Sequence, residues 1–519
     1  MQQSIFDFMY KPFKITKPIR LIEFFAGYGS QALALKYLGA NFEHHKICEW
    51  AVKSIQAYKD IHFTDDNTDY SKDLSIQDVK DYLFKKGISS NYNDPMTKEQ
   101  IQRLNEKQAR TIYNNIQATH NLVNIQQVKG KDLDITDTYL LTYLLTYSFP
   151  CQDLSLAGKG KGMSDTSTRS GMLWEVERIL SECKELGTMP QVLLMENVPQ
   201  VHGAENVKDF NKWQLRLEEL GYKNYFQDLI ATDYGIPQTR NRCFMVSILG
   251  DYSYTFPEPI PLKLKLKDML EENVDEKYFL SNKMIDFFKY NEEKQKANGN
   301  GFRFNVSDGN VIAKTITTRA GCRMDDNFIR IKNATKKGYL ECYEGDGVDL
   351  TQPTSKTRRG RVQKESIQTL TTENNLGVCV KPQVIGGVGE KDSNNNTQWK
   401  QQNRVYDGDA AISITTSFNP FYKVNTIGNY SPSNHNAARI VDNEGSAPTV
   451  MENHGTITAT QDNELKIRKL TPFECFALMG VKKEDYLKCA KNQSDSSLYH
   501  LAGDSIVVNV LMAIFKNML

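Results

Sequence analysis

Cys151 lies in the run Tyr147-Ser-Phe-Pro-Cys-Gln-Asp-Leu-Ser155, directly after an apolar stretch that predicts a strand over 140–147. A thiol at the C-terminal end of a parallel strand opens into the crevice where such sheets bind ligands, and there it can act as a nucleophile. A lone cysteine is equally a common buried hydrophobe, so position by itself leaves both readings open. The next apolar run, 191–195, ends in Met195-Glu196-Asn197-Val198-Pro199 and puts a carboxylate on the same sheet edge, making Glu196 a candidate acid. After one more strand candidate comes Tyr234-Gly-Ile-Pro-Gln238-Thr-Arg240-Asn-Arg242. An extended segment turns Arg240 and Arg242 to one face. There they can form surface salt bridges, or forked hydrogen bonds to a carboxylate and a ligand carbonyl.

A second constellation lies near the start of the chain. Phe25, Ala26, Gly27, Tyr28, Gly29 and Ser30 join a predicted strand, 19–25, to a helix. Glycines at that turn let backbone N–H groups approach a ligand at the helix N-terminus, although the same turn also serves purely structural ends. Glu49 stands at the end of the second strand, about 20 residues on, where it can accept from both ribose hydroxyls of a nucleoside. Trp50 beside it can stack on an adenine ring or belong to the core. Beyond Cys151, Gly158-Lys-Gly-Lys-Gly162 continues to Arg169 and Gly171. Lys159, Lys161 and Arg169 face one acid, Asp165, in a loop that could close over a phosphate chain or simply be solvated.

These residues need a scaffold of alternating strands and helices. Strands are expected over 19–25, 42–48, 140–147, 191–195, 225–230 and 243–249, each followed by a helix, which is the rhythm of an α/β fold with a helix-covered parallel sheet. A polar segment at about 60–120 interrupts it as an insertion holding one helix, 97–117. From about 265 to 460 the texture turns to Asn, Gly, Thr and Lys, which marks a second domain. Within it Arg303-Phe304, Arg361-Val362, Arg404-Val405 and Arg439-Ile440 each precede a Thr-rich pair or quartet, beginning at Thr315, Thr369, Ser413 and Thr449. Such units suggest repeated hairpins or β-arches, spaced too irregularly for a solenoid. Residues 505–515 are apolar enough for a buried helix that rejoins the first domain. The expected division is therefore 1–265, 266–465 and 466–519.

Composition bounds the rest. The 519 residues allow two to four domains, and 39% hydrophobic with 24% charged residues excludes a disordered tail protein. A net charge of +1 means that any nucleic-acid partner must be met by a local basic face. Nine scattered cysteines without a CxxC pair disfavour a disulfide framework and a metal site. No apolar run approaches the ~18 residues of a membrane span. The start does not resemble a signal peptide, so a cytoplasmic protein is expected.

In order along the chain, FAGYGS (25–30), CEW (48–50), FPCQDLS (149–155), MENV (195–198), QTRNR (238–242), RKLTPFECFALMG (468–480) and AGDSIVVNVL (502–511) resemble the DNA cytosine-5 methyltransferases that use S-adenosylmethionine. The resemblance implies a Rossmann-like mixed-sheet methyltransferase domain with a smaller β-rich target recognition domain. It implies S-adenosylmethionine held by Phe25 to Ser30, Glu49, Trp50, Asn124, Pro150, Asp504 and Ser505. Cys151 would be the nucleophile, and Glu196 with Arg240 and Arg242 would hold a flipped cytosine. Double-stranded DNA would be met by Gln152, Ser155, Lys159, Lys161 and Arg169, and by Arg358, Arg359 and Arg361 in a run without an acid. A monomer, with a cognate restriction endonuclease as a possible partner, completes the expectation. An RNA cytosine-5 methyltransferase and an inactive DNA-binding regulator on the same scaffold are the alternatives. The chain departs from the family pattern at Glu23 and Asp504, where Asp and Asn are usual, and at Ser30, where Gly is. Asn124 stands where an Asp is expected to meet the adenine amino group.

Overall fold

The computed structural model describes residues 10–150, 170–272, 274–297, 303–307, 310–318, 320, 322–332 and 465–519, with short strand segments alone between 333 and 464. Cys151, Gln152, Ser155, Lys159, Lys161, Arg169, Arg358, Arg359 and Arg361 lie outside the described residues.

Six strands form the main sheet: β1 (Ile19–Phe24), β2 (Phe42–Cys48), β3 (Thr142–Tyr147), β4 (Val192–Asn197), β5 (Tyr222–Ile230) and β6 (Asn241–Leu249). Their spatial order is β2-β1-β3-β4-β6-β5. The first four are parallel; β6 runs antiparallel to both β4 and β5. Every residue of β3 and β4 is buried, as expected of strands covered on both faces. This is a Rossmann-like mixed sheet, and its β1, β3 and β4 all end at one edge, where the candidate chemistry lies.

Period-2 alternation divides the covering helices. Ile22 and Phe24 of β1 join a core with α6 (Leu173–Leu186) and α7 (Val207–Glu219). Leu173, Val176, Leu180 and Cys183 supply the apolar stripe of α6, and Phe210, Trp213 and Leu217 that of α7. On the opposite face Glu23 accepts from Ala32 N of α1 (Ser30–Leu38) and from the Tyr58 hydroxyl of α2 (Val52–His62). Burial raises the Glu23 carboxyl to about 7, and those two hydrogen bonds pull the other way.

The insertion builds a small helical core of its own from α3 (Ile76–Lys86), α4 (Lys98–Gln102) and α5 (Glu106–Ala118), with Val79, Leu83, Ile101, Ala109, Ile112 and Ile116 inside. The single expected helix over 97–117 is thus two. Asn105 caps α5 by accepting from Gln108 N while the Gln108 side chain returns to Asn105 N, and this capping box starts a new helix after α4.

The chain divides into two compact units. The first comprises Met1–Glu272, Gly309–Asn327 and Leu470–Leu519, the second Asn273–Asp308 and Phe328–Lys469. These limits differ from the expected 266–465 because the segment around Ala313 pairs with the first unit. Ala313 N donates to Pro237 O at 2.8 Å and Thr239 N to Ala313 O at 2.9 Å. The first Thr-rich run, Thr315 to Thr318, therefore belongs to the sheet-bearing unit. Its C-terminal part carries α9 (Pro472–Leu478), α10 (Lys483–Ala490), α11 (Asp495–Asp504) and α12 (Val508–Met518). The expected helix over 505–515 starts later because Ser505 is extended and separates α11 from α12. Within Asp495–Met518 an 18-residue window has a mean hydropathy of 1.6, and 67% of that window is buried in the protein, as in a core helix.

In the second unit α8 (Asn282–Ala297) packs Phe288 against Phe304 and Phe328 at ring distances of 5.2 and 5.5 Å. Phe328–Lys332 pairs with Leu465–Lys469 and Val306–Ser307, and shorter strands pair from Gly347 to Thr460. Arg404–Tyr406 and Arg439–Val441 are strands, whereas the Thr-rich runs at 369, 413 and 449 lie outside the described residues.

Candidate active site

The loop after β1 is held open by backbone geometry. Phe25, Gly27 and Gly29 have φ of 58°, 55° and 84°. At Gly29 a Cβ would lie 2.4 Å from His62 Nε2 and 2.7 Å from the Tyr58 ring. At Gly27 it would meet nothing within 4 Å, so the backbone borders open space there. Tyr28 and Ser30 turn inward. The Tyr28 hydroxyl accepts from Ser505 Oγ at 2.8 Å, and its ring stacks on Phe476 at 5.2 Å. Ala26 is buried as well, leaving Phe25 and Gly27 as the partly exposed residues of the loop.

Glu49 folds back over this loop. Its Oε2 accepts from Gly27 N at 2.9 Å and its Oε1 from Ala51 N at 2.7 Å. Burial pushes the carboxyl up to about 7; the backbone N–H groups oppose that shift and the nearby Asp504 adds to it. Asn121, which sequence reasoning missed, fixes the Glu49 backbone. Its Oδ1 accepts from Glu49 N and Val123 N, and its Nδ2 donates to Glu49 O at 2.8 Å. Asn124 follows three residues later and caps a short 3-10 turn, accepting from Gln126 N at 3.0 Å. Trp50 is half-buried against the insertion core. Asp504 is exposed at the end of α11. Gly503 before it needs to lack a side chain, since a Cβ would lie 2.2 Å from Thr318 N.

A carboxylate with unused lone pairs, beside a backbone turn that opens onto free space, is a donor set suited to a hydroxyl-bearing nucleoside. The residues present therefore fit S-adenosylmethionine.

The second part of the site lies at the ends of β3, β4 and β6. The pairing of Tyr147 with Met195 brings the following residues, Ser148 and Glu196, side by side. Ser148 Oγ donates to Glu196 Oε2, and Arg242 Nε lies 3.1 Å from Glu196 Oε1. Glu196 is 5% exposed. Asn197 donates from Nδ2 to Phe149 O at 2.9 Å while its Oδ1 accepts from Val198 N, so it ties the backbone just before Pro150 and Cys151 to the end of β4. Ser148 and Asn197 were not singled out from sequence; for Asn197 its place directly after Glu196 was an available signal, whereas Ser148 meets Glu196 only through the pairing of β3 with β4.

Arg240 does not join this group. It is buried, and its guanidinium donates to Ile316 O at 3.2 Å and Ser505 O at 2.7 Å. β6 begins only at Asn241, so the alternation that would turn both arginines to one face does not extend back to Arg240. On β6, the residue after Arg242 is Cys243, whose sulfur lies within 4.8 Å of ligand atoms of His202 and Asp228. The latter two pair directly at 2.9 Å.

Comparison with known proteins gives the family. The model of C-5 cytosine-specific DNA methylases matches residues 85–519. The orphan methyltransferase M.SssI of Spiroplasma monobiae is 36% identical over 391 residues, covering 72% of this chain and 98% of its own. The type II methyltransferase M2.ScrFI of Lactococcus lactis subsp. cremoris is 37% identical over 275 residues, 51% of this chain and 71% of its own. Among solved structures, the Entamoeba histolytica methyltransferase EhMeth aligns over 97% of this chain and 98% of its own, with a TM-score of 0.49 and 12% identity. The chain belongs to the C-5 cytosine-specific DNA methylases: it is a DNA cytosine methyltransferase with S-adenosylmethionine as its methyl donor.

Proposed function

We propose that this enzyme methylates C5 of a cytosine extruded from a specific duplex sequence, through a transient bond between Cys151 Sγ and C6 of the base. The observation that carries the reading is the Glu196–Arg242 pair at the mouth of the sheet, on the strand end that Asn197 ties to the segment leading into Cys151. C5 of cytosine is a weak nucleophile while the ring stays aromatic. Addition of a thiolate to C6 breaks that aromaticity and pushes electron density to N3 and C5. Glu196, with Ser148 on one oxygen and Arg242 on the other, keeps a lone-pair site on each oxygen and so can share a proton with N3. When bound, S-adenosylmethionine supplies an electrophilic methyl group. Loss of the C5 proton and departure of the thiolate then restore the ring.

A base inside a duplex cannot reach these groups, and its extrusion costs about a few kcal/mol that contacts to phosphates and the vacated stack must offset. Lys159, Lys161 and Arg169 are assigned that task, with Gln152 and Ser155. The second unit, through residues such as Arg358, Arg359 and Arg361, reads the target sequence. A modification role in a restriction-modification, phage or mobile-element setting, with or without a cognate endonuclease, is supported by relatives named type II and orphan methyltransferases. The enzyme is proposed to act as a cytoplasmic monomer.

The test is a duplex carrying 5-fluorocytosine at the target, found first by bisulfite sequencing of DNA from a host expressing the enzyme. With cofactor it should form a denaturant-stable adduct with the parent protein and none with Cys151→Ala, because fluorine does not leave C5 as a proton does. Normal DNA binding without an adduct would refute the covalent route.

A further inference from the structure

The insertion returns to the cofactor edge of the sheet. Ser89 N donates to Trp50 O at 2.8 Å and Val52 N to Ser89 O at 2.9 Å, so the chain leaving α3 runs beside the residues that follow Glu49. Met96 N closes back onto Ile88 O at 2.8 Å, and Asn91 Oδ1 accepts from Asn93 N and Asp94 N, shaping a tight loop. Tyr92 lies in this loop with φ of 65°, a left-handed conformation that a residue with a bulky side chain adopts only when its surroundings hold it there.

A ring contact does hold it. Tyr92 stacks on His500 of α11, with centroids 3.9 Å apart and planes 17° from parallel. His500 is one helical turn before Asp504, on the same face of α11. Glu49 and Asp504 both act on the Tyr92 hydroxyl, raising its pKa together with burial, the larger cause, so the hydroxyl is within electrostatic reach of both carboxylates. Among the described residues, that hydroxyl and His500 Nδ1 are shielded from solvent and have no hydrogen-bond partner. The Ser54 hydroxyl is a polar neighbour of the phenol but falls short of hydrogen-bond geometry. A shielded donor left unmatched on a strained residue costs stability, and a ligand that satisfies it recovers that cost on binding.

We propose that Tyr92 is a cofactor-contacting residue supplied by the insertion, its hydroxyl completing with Glu49 and Asp504 a polar wall for S-adenosylmethionine while His500 positions its ring. This rests on the assignment of Glu49 and the loop from Phe25 to Ser30 to the cofactor. Two carboxylates and a neutral phenol suit a ligand that carries hydroxyl donors and positive charge, so the wall favours the sulfonium cofactor over its uncharged thioether product.

Calorimetric titration of the full-length protein with S-adenosylmethionine tests this in the parent, Tyr92→Phe, Tyr92→Ala and Glu49→Ala, alongside thermal melting of each. Tyr92→Phe keeps the stack and should raise the cofactor dissociation constant about tenfold, the worth of one hydrogen bond, with a melting temperature equal to or above that of the parent because the unmatched donor is gone. Tyr92→Ala should lose affinity and melt earlier. Unchanged affinity in Tyr92→Phe with weakened binding in Glu49→Ala would overturn the role of Tyr92 and leave the cofactor assignment standing. Unchanged affinity in both would overturn that assignment, and this inference with it. A Tyr92→Phe protein whose loss of affinity comes with a lower melting temperature would show a structural role alone.

Discussion

Arg242 reaches from β6 to Glu196 on β4, Nε to Oε1 at 3.1 Å, whereas Arg240, two residues earlier, donates to the carbonyls of Ile316 and Ser505. Two arginines of one short motif therefore do different work. Arg240→Ala removes charge-assisted hydrogen bonds from two backbone carbonyls and should destabilise the protein by about 2–4 kcal/mol. Arg242→Ala leaves Glu196 without its guanidinium and should slow methyl transfer about 100-fold or more while melting close to the parent. Single-turnover methyl transfer and thermal melting on the same two variants separate these effects. A stable Arg240→Ala protein with abolished transfer would mean that the division is wrong.

Ser148 makes a subtler contribution. Its hydroxyl holds Glu196 Oε2 from the neighbouring strand end, so Ser148→Ala frees that oxygen to rotate away from its working position. The loss should be about tenfold in the transfer rate, the equivalent of ~1.4 kcal/mol. Cofactor affinity should not move, since Ser148 lies at the Glu196 end of the site. An equal loss in cofactor binding, measured by calorimetry, would contradict this placement.

All six expected strands formed; β3 and β4 were the most legible because strands buried on both faces leave continuous apolar runs, whereas β2 and β5 carry polar residues and are largely half-buried. Glu196 was legible for a related reason, as the first strong polar residue where such a run ends, and Glu49 from its place at the end of the second strand about 20 residues after the glycine loop. Arg240 was not, because its direction is set by partners 76 and 265 positions away, which local alternation cannot reveal. Asn121 and Ser148 were missed since each acts through a neighbour, and a lone Asn or Ser at a loop carries no pattern. The helix expected over 97–117 was split by a capping box at Asn105 and Gln108, a signal present in the sequence but outweighed there by the run of helix-forming residues around it.

The two glycines of the cofactor loop should fail differently when given a methyl group. Both have positive φ, which costs roughly 1–2 kcal/mol for an L-residue. Gly29→Ala adds a collision with His62 and the Tyr58 ring, so it should be the more destabilising and lower the melting temperature markedly. Gly27→Ala meets no atom of the protein, and its methyl group projects into the space assigned to the cofactor. It should fold, melt only slightly earlier, and bind S-adenosylmethionine at least tenfold more weakly. Normal cofactor binding by a folded Gly27→Ala protein would move the cofactor elsewhere.

Glu49 makes cofactor affinity depend on pH. Its folded-state carboxyl is raised by burial from an ordinary 4.5 to about 7, so the free enzyme carries a proton there at mildly acidic pH. In the proposed cofactor site the ionised form is the one that accepts from two ribose hydroxyls. Affinity should therefore fall as pH drops through about 7, approaching tenfold per pH unit below it, and level off above about 8. Folding stability runs the other way. A raised acid contributes stability that is full below its unfolded value and lost as pH rises from about 4.5 through about 7. Glu23 is raised to about 7 as well and titrates in the same window, so the stability effect is read as the difference between parent and Glu49→Gln. Calorimetry in buffers of different ionisation enthalpy should show up to about three-quarters of a proton released on cofactor binding near pH 6.5, and none in Glu49→Gln. A parent enzyme whose affinity is flat from about pH 6 to about pH 8, or a Glu49→Gln variant that keeps the slope, would place the ribose against some other group.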